Sequence, residues 1–438
     1  MTVKEVDIVY LYEHVARELD VACALAAVLE REHHMRVEII QWPVGFPEAV
    51  TRFHPRLVVL PYCYTEDHYR NLLAFWRESV FLNLSWEQLL YFGNRNAKTP
   101  RGDFSLRHVI HHTWSEQNAE LLKKIGIPEE HIMVNGQPAY ALYDEPYRRY
   151  FASRSDLADR YDLDNSSRWV FFPENYNWAF YPESQIRQII KEGQMPGDVK
   201  MMRDYCEQSL TEMLHWCAEA AREDCVEIIL RPRPSTSMKD FLGVVHRVLP
   251  EVPPRFHVIK QETVREWILA SDVVVTSHST SLIEAAVAGK YAGIVAPFPI
   301  PAQLHADWHD LPPHITTQEE FMKVIKSSPS QPGDLEQWAR ESMMAHGDAI
   351  RNLAGFFAKI ASGEVTVPAK LPQEFVASWF KIIPPKWIWS LYRRFKLFIR
   401  FPANFGIEPE YAKDYMSRKK IRARIQKWID LLAVERQQ

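Results

Sequence analysis

The chain lacks the marks of several common protein classes. Its five cysteines (Cys23, Cys63, Cys206, Cys217, Cys225) form no CxxC pair and no even set, so neither a disulfide framework nor a zinc site is indicated. They read as buried free thiols in a reducing cytoplasm. No uncharged run approaches the ~20 residues that a membrane-spanning helix needs. The opening MTVKEVDIVYLYEH lacks the apolar core and small-residue cleavage site of a signal peptide, so a cytoplasmic location is expected. No long segment has the polar composition of disorder. Excess charge is missing as well. The formal net charge is -4 over 438 residues, which argues against a general nucleic-acid binder.

What is present is a folded composition, 47% hydrophobic and 25% charged, on a chain too long for one ordinary core. In the first third, apolar strands alternate with helical patterns: VDIVYLY, VEIIQWP, PRLVVLPYCY, SVFLNLS, HVIHHTW and HIMVNGQP. A helix is expected at 66 to 77, and another in SEQNAELLKKIG between an N-cap at Ser115 and a stop at Gly126. After a polar connector at 145 to 168, a second series runs through WVFFPE, VEIILRPRP, FHVIKQ, SDVVVTSH and YAGIVAPFP. Helices are expected near 199 to 222 and 237 to 247. Strands separated by helices predict parallel sheets covered on both faces. The expected fold class is α/β, with two Rossmann-like domains at 1–150 and 151–364 facing a cleft and a helical tail at 365–438.

That tail is distinct. From Lys381 to the end it carries 14 Lys and Arg against 5 Asp and Glu, a net of +9 that leaves about -13 for the rest. Its basic residues are mixed with tryptophan, phenylalanine and isoleucine. Such a segment suits an interfacial helix on an anionic leaflet, here the inner membrane surface. It equally suits a terminal helix packed back on the first domain.

The chemistry concentrates at strand ends. TSHSTS runs from the apolar VVV into a helix, and all of its residues can donate hydrogen bonds without adding negative charge. Ser277, Ser279, Thr280 and Ser281, a partly cationic His278 and free backbone N–H groups together suit a phosphate. The alternative is a serine-rich cap that binds nothing. Glu284, one turn into the helix, stands where a ribose is often held by a carboxylate. LRPRP presents Arg231 and Arg233 stiffly at another strand end, with one of the two expected to reach the ligand. Glu174, in FFPENYNWAFYP, is either an acid, base or nucleophile in an apolar setting or a loop cap beneath Trp178. In the first domain, YEHVARELD places Glu13 and His14 as catalytic candidates, with Arg17 and Glu18 one turn on. Glu87 in SWEQLLYFGN and His112 in HHTWSEQ complete a candidate acceptor surface.

SDVVVTSHSTSLIEAAVAGK resembles the nucleotide-binding segment of GT-B type glycosyltransferases and of related sugar-nucleotide epimerases and polyol-phosphate transferases. YLYEHVARELD, WEQ, ENYNWAF and LRPRP are similar to bacterial surface carbohydrate biosynthesis proteins. That group is itself similar to the retaining transferases that move Kdo from CMP-Kdo in capsule, O-antigen and lipopolysaccharide assembly. The resemblance spans about residues 8 to 300. It implies donor phosphate at Ser277, His278, Ser279 and Thr280, but Arg233 stands where many such enzymes have a histidine. No DxD pair occurs in a fitting context, and His305 and His309 lack an HExxH frame, so no metal and no other cofactor is expected. The function expected is transfer of a sugar from a nucleotide-linked donor to a surface glycan or lipid-linked acceptor, by an enzyme peripheral at the membrane. Transfer of a polyol-phosphate or phosphoribosyl group, and a non-catalytic scaffold of a polysaccharide-assembly complex, are the alternatives.

Overall fold

A computed structural model of the chain describes residues 4–42, 44–65, 75–191, 193–327, 333–368, 370 and 415–435. It contains two six-stranded sheets, and every strand pair in both is parallel. The first is built from β1 (Lys4–Tyr12), β2 (Val37–Gln41), β3 (Phe53–Leu60), β4 (Val80–Asn83), β5 (Val109–Thr113) and β6 (Ile132–Val134). The second comprises β7 (Arg168–Pro173), β8 (Val226–Arg231), β9 (Phe256–Val258), β10 (Val273–Thr276), β11 (Tyr291–Val295) and β12 (His314–Ile315). Near-continuous apolar runs such as LVVL and VFF are buried on both faces, as parallel strands require.

Strand order decides where ligands can enter. The first sheet runs β2-β1-β3-β4-β5-β6 and the second β12-β11-β10-β7-β8-β9. In the first, the chain leaves β1 for β2 on one side and then crosses to β3 on the other. In the second, β7 is followed outward by β8 and β9, after which β10 pairs on the opposite edge of β7. Each reversal opens a crevice at the strands' carboxyl ends, between β1 and β3 in one sheet and between β7 and β10 in the other.

The chain forms two compact units, one of Met1–Gln88, Lys98–Ala141 and His346–Gln438, the other of Leu89–Ala97 and Leu142–Ala345. Two features make these units discontinuous in sequence. Residues 89–97 leave the first unit and return, and the C-terminal helices pack on the first sheet's own helix. That helix, Asp20–Glu32, is buried at every position from Asp20 to Leu29, because helices Ala349–Ser362 and Arg418–Glu435 both cover it. Its alanines keep the covering helices close.

Ser115 caps helix Glu116–Lys124 by accepting from the Asn118 N–H at 3.2 Å, and Gly126 at φ 95° follows its end. Of the helix expected at 66 to 77, residues 66–74 lie outside the described residues, as do 371–414 of the tail. Helix Arg418–Glu435 packs back on the first unit. Ile421, Ile425, Trp428 and Leu432 form its buried stripe at helical spacing. Its basic face is engaged: Arg424 donates to Asp20 at 2.9 Å, Arg422 pairs with Glu30 and Arg418 with Glu38. No described helix is long and apolar enough to cross a membrane.

Asp20 is 1% exposed, so its pairing with Arg424 carries weight that a surface pair would not. Arg424→Ala is expected to lower unfolding free energy by ~3–5 kcal/mol in urea titration, with Asp20→Asn in the same chain recovering much of the loss.

Candidate functional site

In the second unit the candidate residues gather at the β7/β10 crevice. Thr276 Oγ1 donates to the Pro173 carbonyl at 2.5 Å and locks the two strand ends together. Ser277 and His278 follow, 0% and 1% exposed. Ser277 Oγ and His278 Nδ1 have no hydrogen-bond partner among the described residues. Burial, helped by the positive charge of Arg233, lowers the His278 pKa to about 3, so the imidazole is neutral and not the partly cationic donor expected. It still offers one N–H and one lone pair. Ser279 Oγ accepts from the Ser281 N–H at 3.3 Å, which makes Ser281 the first residue of the following helix, Ser281–Val287. At seven residues that helix adds little field of its own. Donor side chains carry the site.

Glu174 lies buried at 3% exposure where β7 ends. Its Oε1 accepts from the Tyr176 N–H, and its Oε2 from Arg233 N at 3.2 Å and Thr236 Oγ1 at 3.4 Å. Burial raises its pKa, opposed by Arg233 and these hydrogen bonds. With both oxygens taken it acts as the loop cap, fixing residues 231–236 beside β7. The two arginines diverge because β8 ends at Arg231, which leaves Arg233 in the loop beyond the strand's alternation. Arg231 is buried, donates to the Glu262 carbonyl at 3.0 Å, and has its pKa lowered by burial to about 10. Arg233 is half-buried, and its guanidinium makes no hydrogen bond or ion pair with the described residues. Glu284 accepts from Tyr143 Oη at 2.7 Å and lies 3.9 Å from Arg265 Nε, so one of its oxygens is already held.

In the first unit, β1 delivers Glu13 and His14 into a π-helical turn, Val15–Leu19, ahead of helix Asp20–Glu32. π turns often mark functional sites, and this one returns Arg17 and Glu18 toward Glu13. Glu18 is wholly buried, its Oε2 accepting from the Glu13 N–H at 2.7 Å. Arg17 Nη2 donates to Glu18 Oε1 at 2.6 Å and to Glu13 Oε2 at 2.9 Å, and its Nη1 donates to Glu87 Oε1 at 3.1 Å. Lys98 donates to the other oxygen of Glu87. Burial resists ionisation of Glu87, but Arg17 and Lys98 outweigh it and hold its pKa at about 2. Burial raises the Glu18 pKa, with Arg17 opposing. His14 Nε2 lies 3.7 Å from Glu13 Oε2 and is partly exposed.

A cavity of about 240 Å³ lies at the β1/β3 crevice, lined by Glu13, Arg17, Pro61, Tyr62, Tyr64, Trp86 and Glu87. His112 is not part of it. At 1% exposure it sits inside the unit, its Nδ1 3.3 Å from the Leu84 carbonyl, because β5 buries every residue it contains. Glu18 likewise holds Arg17 and the turn and presents nothing to a ligand.

Several residues at the sites do not stand out in the sequence. Tyr91, from the excursion Leu89–Ala97, donates to the His278 carbonyl at 2.7 Å and sets its ring edge-on to the imidazole. Asn175 donates to Tyr91 Oη at 3.4 Å. Tyr62 and Tyr64 stack with centroids 5.5 Å apart. Their period-two spacing in PYCYT, with Cys63 turned inward, is the signal that could have found them. His305 and His309 lie ring to ring at 5.1 Å, and His309 Nδ1 accepts from the Ala306 N–H. No group of three or more His, Cys, Asp or Glu among the described residues could hold a metal.

No protein-family model matches the chain, and no curated protein matches its sequence. Solved structures do match in fold. The wall teichoic acid polymerase TagF soaked with CDPG superposes with a TM-score of 0.55 at 11% identity, over 83% of this chain and 90% of that one. A candidate UDP-N-acetylglucosamine 2-epimerase of Listeria monocytogenes gives 0.50 at 13% identity, over 84% and 100%. MnaA of S. aureus with UDP gives 0.50 at 11%, over 84% and 100%. At such identities the likeness is one of fold. The architecture is GT-B-like, with two six-stranded parallel sheets.

Four buried histidines give a pH prediction. Burial lowers the pKa of His111 and His112 to about 4; burial with nearby positive charge lowers that of His278 and His309 to about 3. Unfolding returns each to ~6.5. Their contribution to stability is therefore complete above about pH 6.5 and is lost as pH falls toward the folded values, by ~1.4 kcal/mol per pH unit for each. Urea titrations from pH 7 to 4 are expected to show stability falling, with a shallower slope in His112→Asn. An equal slope in that variant counts against a neutral native His112.

Proposed function

We propose that the chain is a GT-B type glycosyltransferase whose second unit holds the phosphates of a nucleotide-linked sugar at the ends of β7, β8 and β10. One observation carries this reading: the unpaired Arg233 guanidinium stands in the electrostatic reach of the buried His278, whose Nδ1 lacks a partner, as does the neighbouring Ser277 Oγ. Buried polar groups without partners are rare unless a ligand or water completes them. A cation and neutral donors without a competing free carboxylate favour a phosphate. The nucleotide ligands of the fold neighbours, UDP in MnaA and CDPG in TagF, support the same reading.

In the reaction proposed, the bond between the sugar's anomeric carbon and the donor phosphate breaks. An acceptor hydroxyl oxygen bonds to that carbon, and its proton passes to a base. Arg233 neutralises charge that builds on the leaving phosphate, an electrostatic role needing no resident metal. His14, with Glu13 behind it, is the proposed base on the first unit. Glu174 supports the site by holding Arg233's loop. Contact with an anionic membrane surface falls to the residues before Arg418, since six basic and no acidic residues lie between Lys381 and Arg400.

Nucleoside diphosphates and nucleotide sugars are expected to raise the melting temperature of the intact chain. Arg233→Ala and His278→Ala should weaken binding at least tenfold by calorimetry, which is ~1.4 kcal/mol or more. Unchanged affinity in both variants would sink the proposed donor site. Stabilisation by phosphosugars alone points to transfer of a phosphorylated group, and failure of all these ligands to bind points to a scaffold.

A further inference from the structure

The first unit's cavity has the opposite chemistry. Glu13, Glu87 and Arg17 line it; with Glu18, which holds Arg17 from behind, and Lys98, which holds Glu87, the cluster has three carboxylates and two cations, a formal charge of -1. Both cations are already paired. Arg17 donates to all three carboxylates, and their charge holds its proton more firmly than usual against the cost of burial. Among the described residues an arriving phosphate would find no unpaired cation, and it would meet net repulsion from them in a partly desolvated site. Sugar hydroxyls and ammonium groups, by contrast, are donors for Glu13 and Glu87, and hydrogen bonds to ionised carboxylates are the stronger kind.

The rest of the lining is aromatic. Tyr62 and Tyr64 stack at 5.5 Å and 20° between planes, and Trp86 adjoins them. Flat aromatic rings beside a few placed polar groups make a site for a ligand with both apolar and hydroxylated surfaces. A volume of about 240 Å³ accommodates one sugar ring. The cavity also occupies the switch point of its sheet, where ligands of such sheets bind. We infer that this cavity binds a neutral or amino-bearing sugar ring and turns away phosphorylated ones. Only the role of that ring as the acceptor end rests on the transferase reading; its binding does not.

The test is saturation-transfer NMR on the intact chain with methyl glucoside, glucosamine and glucose 6-phosphate. The first two are expected to receive saturation that Tyr64→Ala abolishes while the melting temperature stays within a few degrees. Any signal from glucose 6-phosphate should survive Tyr64→Ala, since the second unit's phosphate site is untouched by that change. Glu87→Gln removes one negative charge and leaves Lys98 without its carboxylate, so Tyr64-dependent binding of glucose 6-phosphate should rise several-fold in this variant. Two results would overturn the inference: Tyr64-dependent binding of glucose 6-phosphate to the unaltered chain as strong as that of methyl glucoside, or no Tyr64-dependent binding of either uncharged or amino probe. Nucleotide affinity is read separately through Arg233→Ala. A failure of the donor site therefore leaves this outcome independent.

Discussion

The second unit's site depends on one buried carboxylate. Glu174 sits where β7 ends and accepts from backbone or hydroxyl donors of residues 176, 233 and 236, so that a single side chain joins the ends of β7 and β8. Removing a group that satisfies several buried donors at once costs more than the hydrogen bonds themselves, because each donor is then left without water or protein partner. The position of Arg233 follows from this. Its backbone is fixed by Glu174 while its guanidinium is left unpaired, an arrangement that keeps a cation available without letting it collapse onto a carboxylate.

The first unit solves the reverse problem. There the buried hub is a cation, Arg17, and the groups around it are acids. A guanidinium suits this role because its planar fork can serve several carboxylates at fixed angles, which a lysine could not do. The π turn matters here. Arg17 reaches Glu13 across four residues and Glu18 reaches the Glu13 N–H across five, the longer spacing that a π turn widens the chain to span. Lys98 completes the frame from the far end of the excursion that carries Tyr91.

Much of the fold was legible because its signals are local. Apolar runs bounded by polar turns mark the strands, and Ser115 with Gly126 brackets a helix. The strand ends of the second unit's candidate site were legible for the same reason, since TSHSTS and LRPRP follow apolar strands. What local signals could not carry was the partnering. Arg17 and Glu87 are 70 positions apart, and nothing in YEHVARELD shows that Arg17 will be saturated by acids. Burial was equally hidden. His278 looked like a loop histidine open to protonation, yet the strand that precedes it carries it inside, where desolvation and Arg233 keep it neutral. His112 looked like a strand-end residue but is an interior one, because β5 is covered along its whole length. The tail's charge was ambiguous in sequence, and acidic partners on the first unit decide the fate of its last helix.

The contrast between the hubs bears on how the two proposed sites would differ in the ligands they take. Both sheets place a crevice at a reversal of strand order, so topology alone would not separate an anionic ligand from a neutral one. Charge does. At the β7/β10 end Glu174 is taken up by backbone and hydroxyl donors, while the Arg233 guanidinium has no partner among the described residues; at the β1/β3 end Arg17 and Lys98 are both paired with carboxylates. On the proposed reading, selectivity at each site comes from how its charges are paired rather than from which residue types it contains. A census of residue types would miss this, since both sites hold arginine and glutamate. Desolvation amplifies the difference, because a pairing worth little in water decides which charge a partly buried ligand can carry.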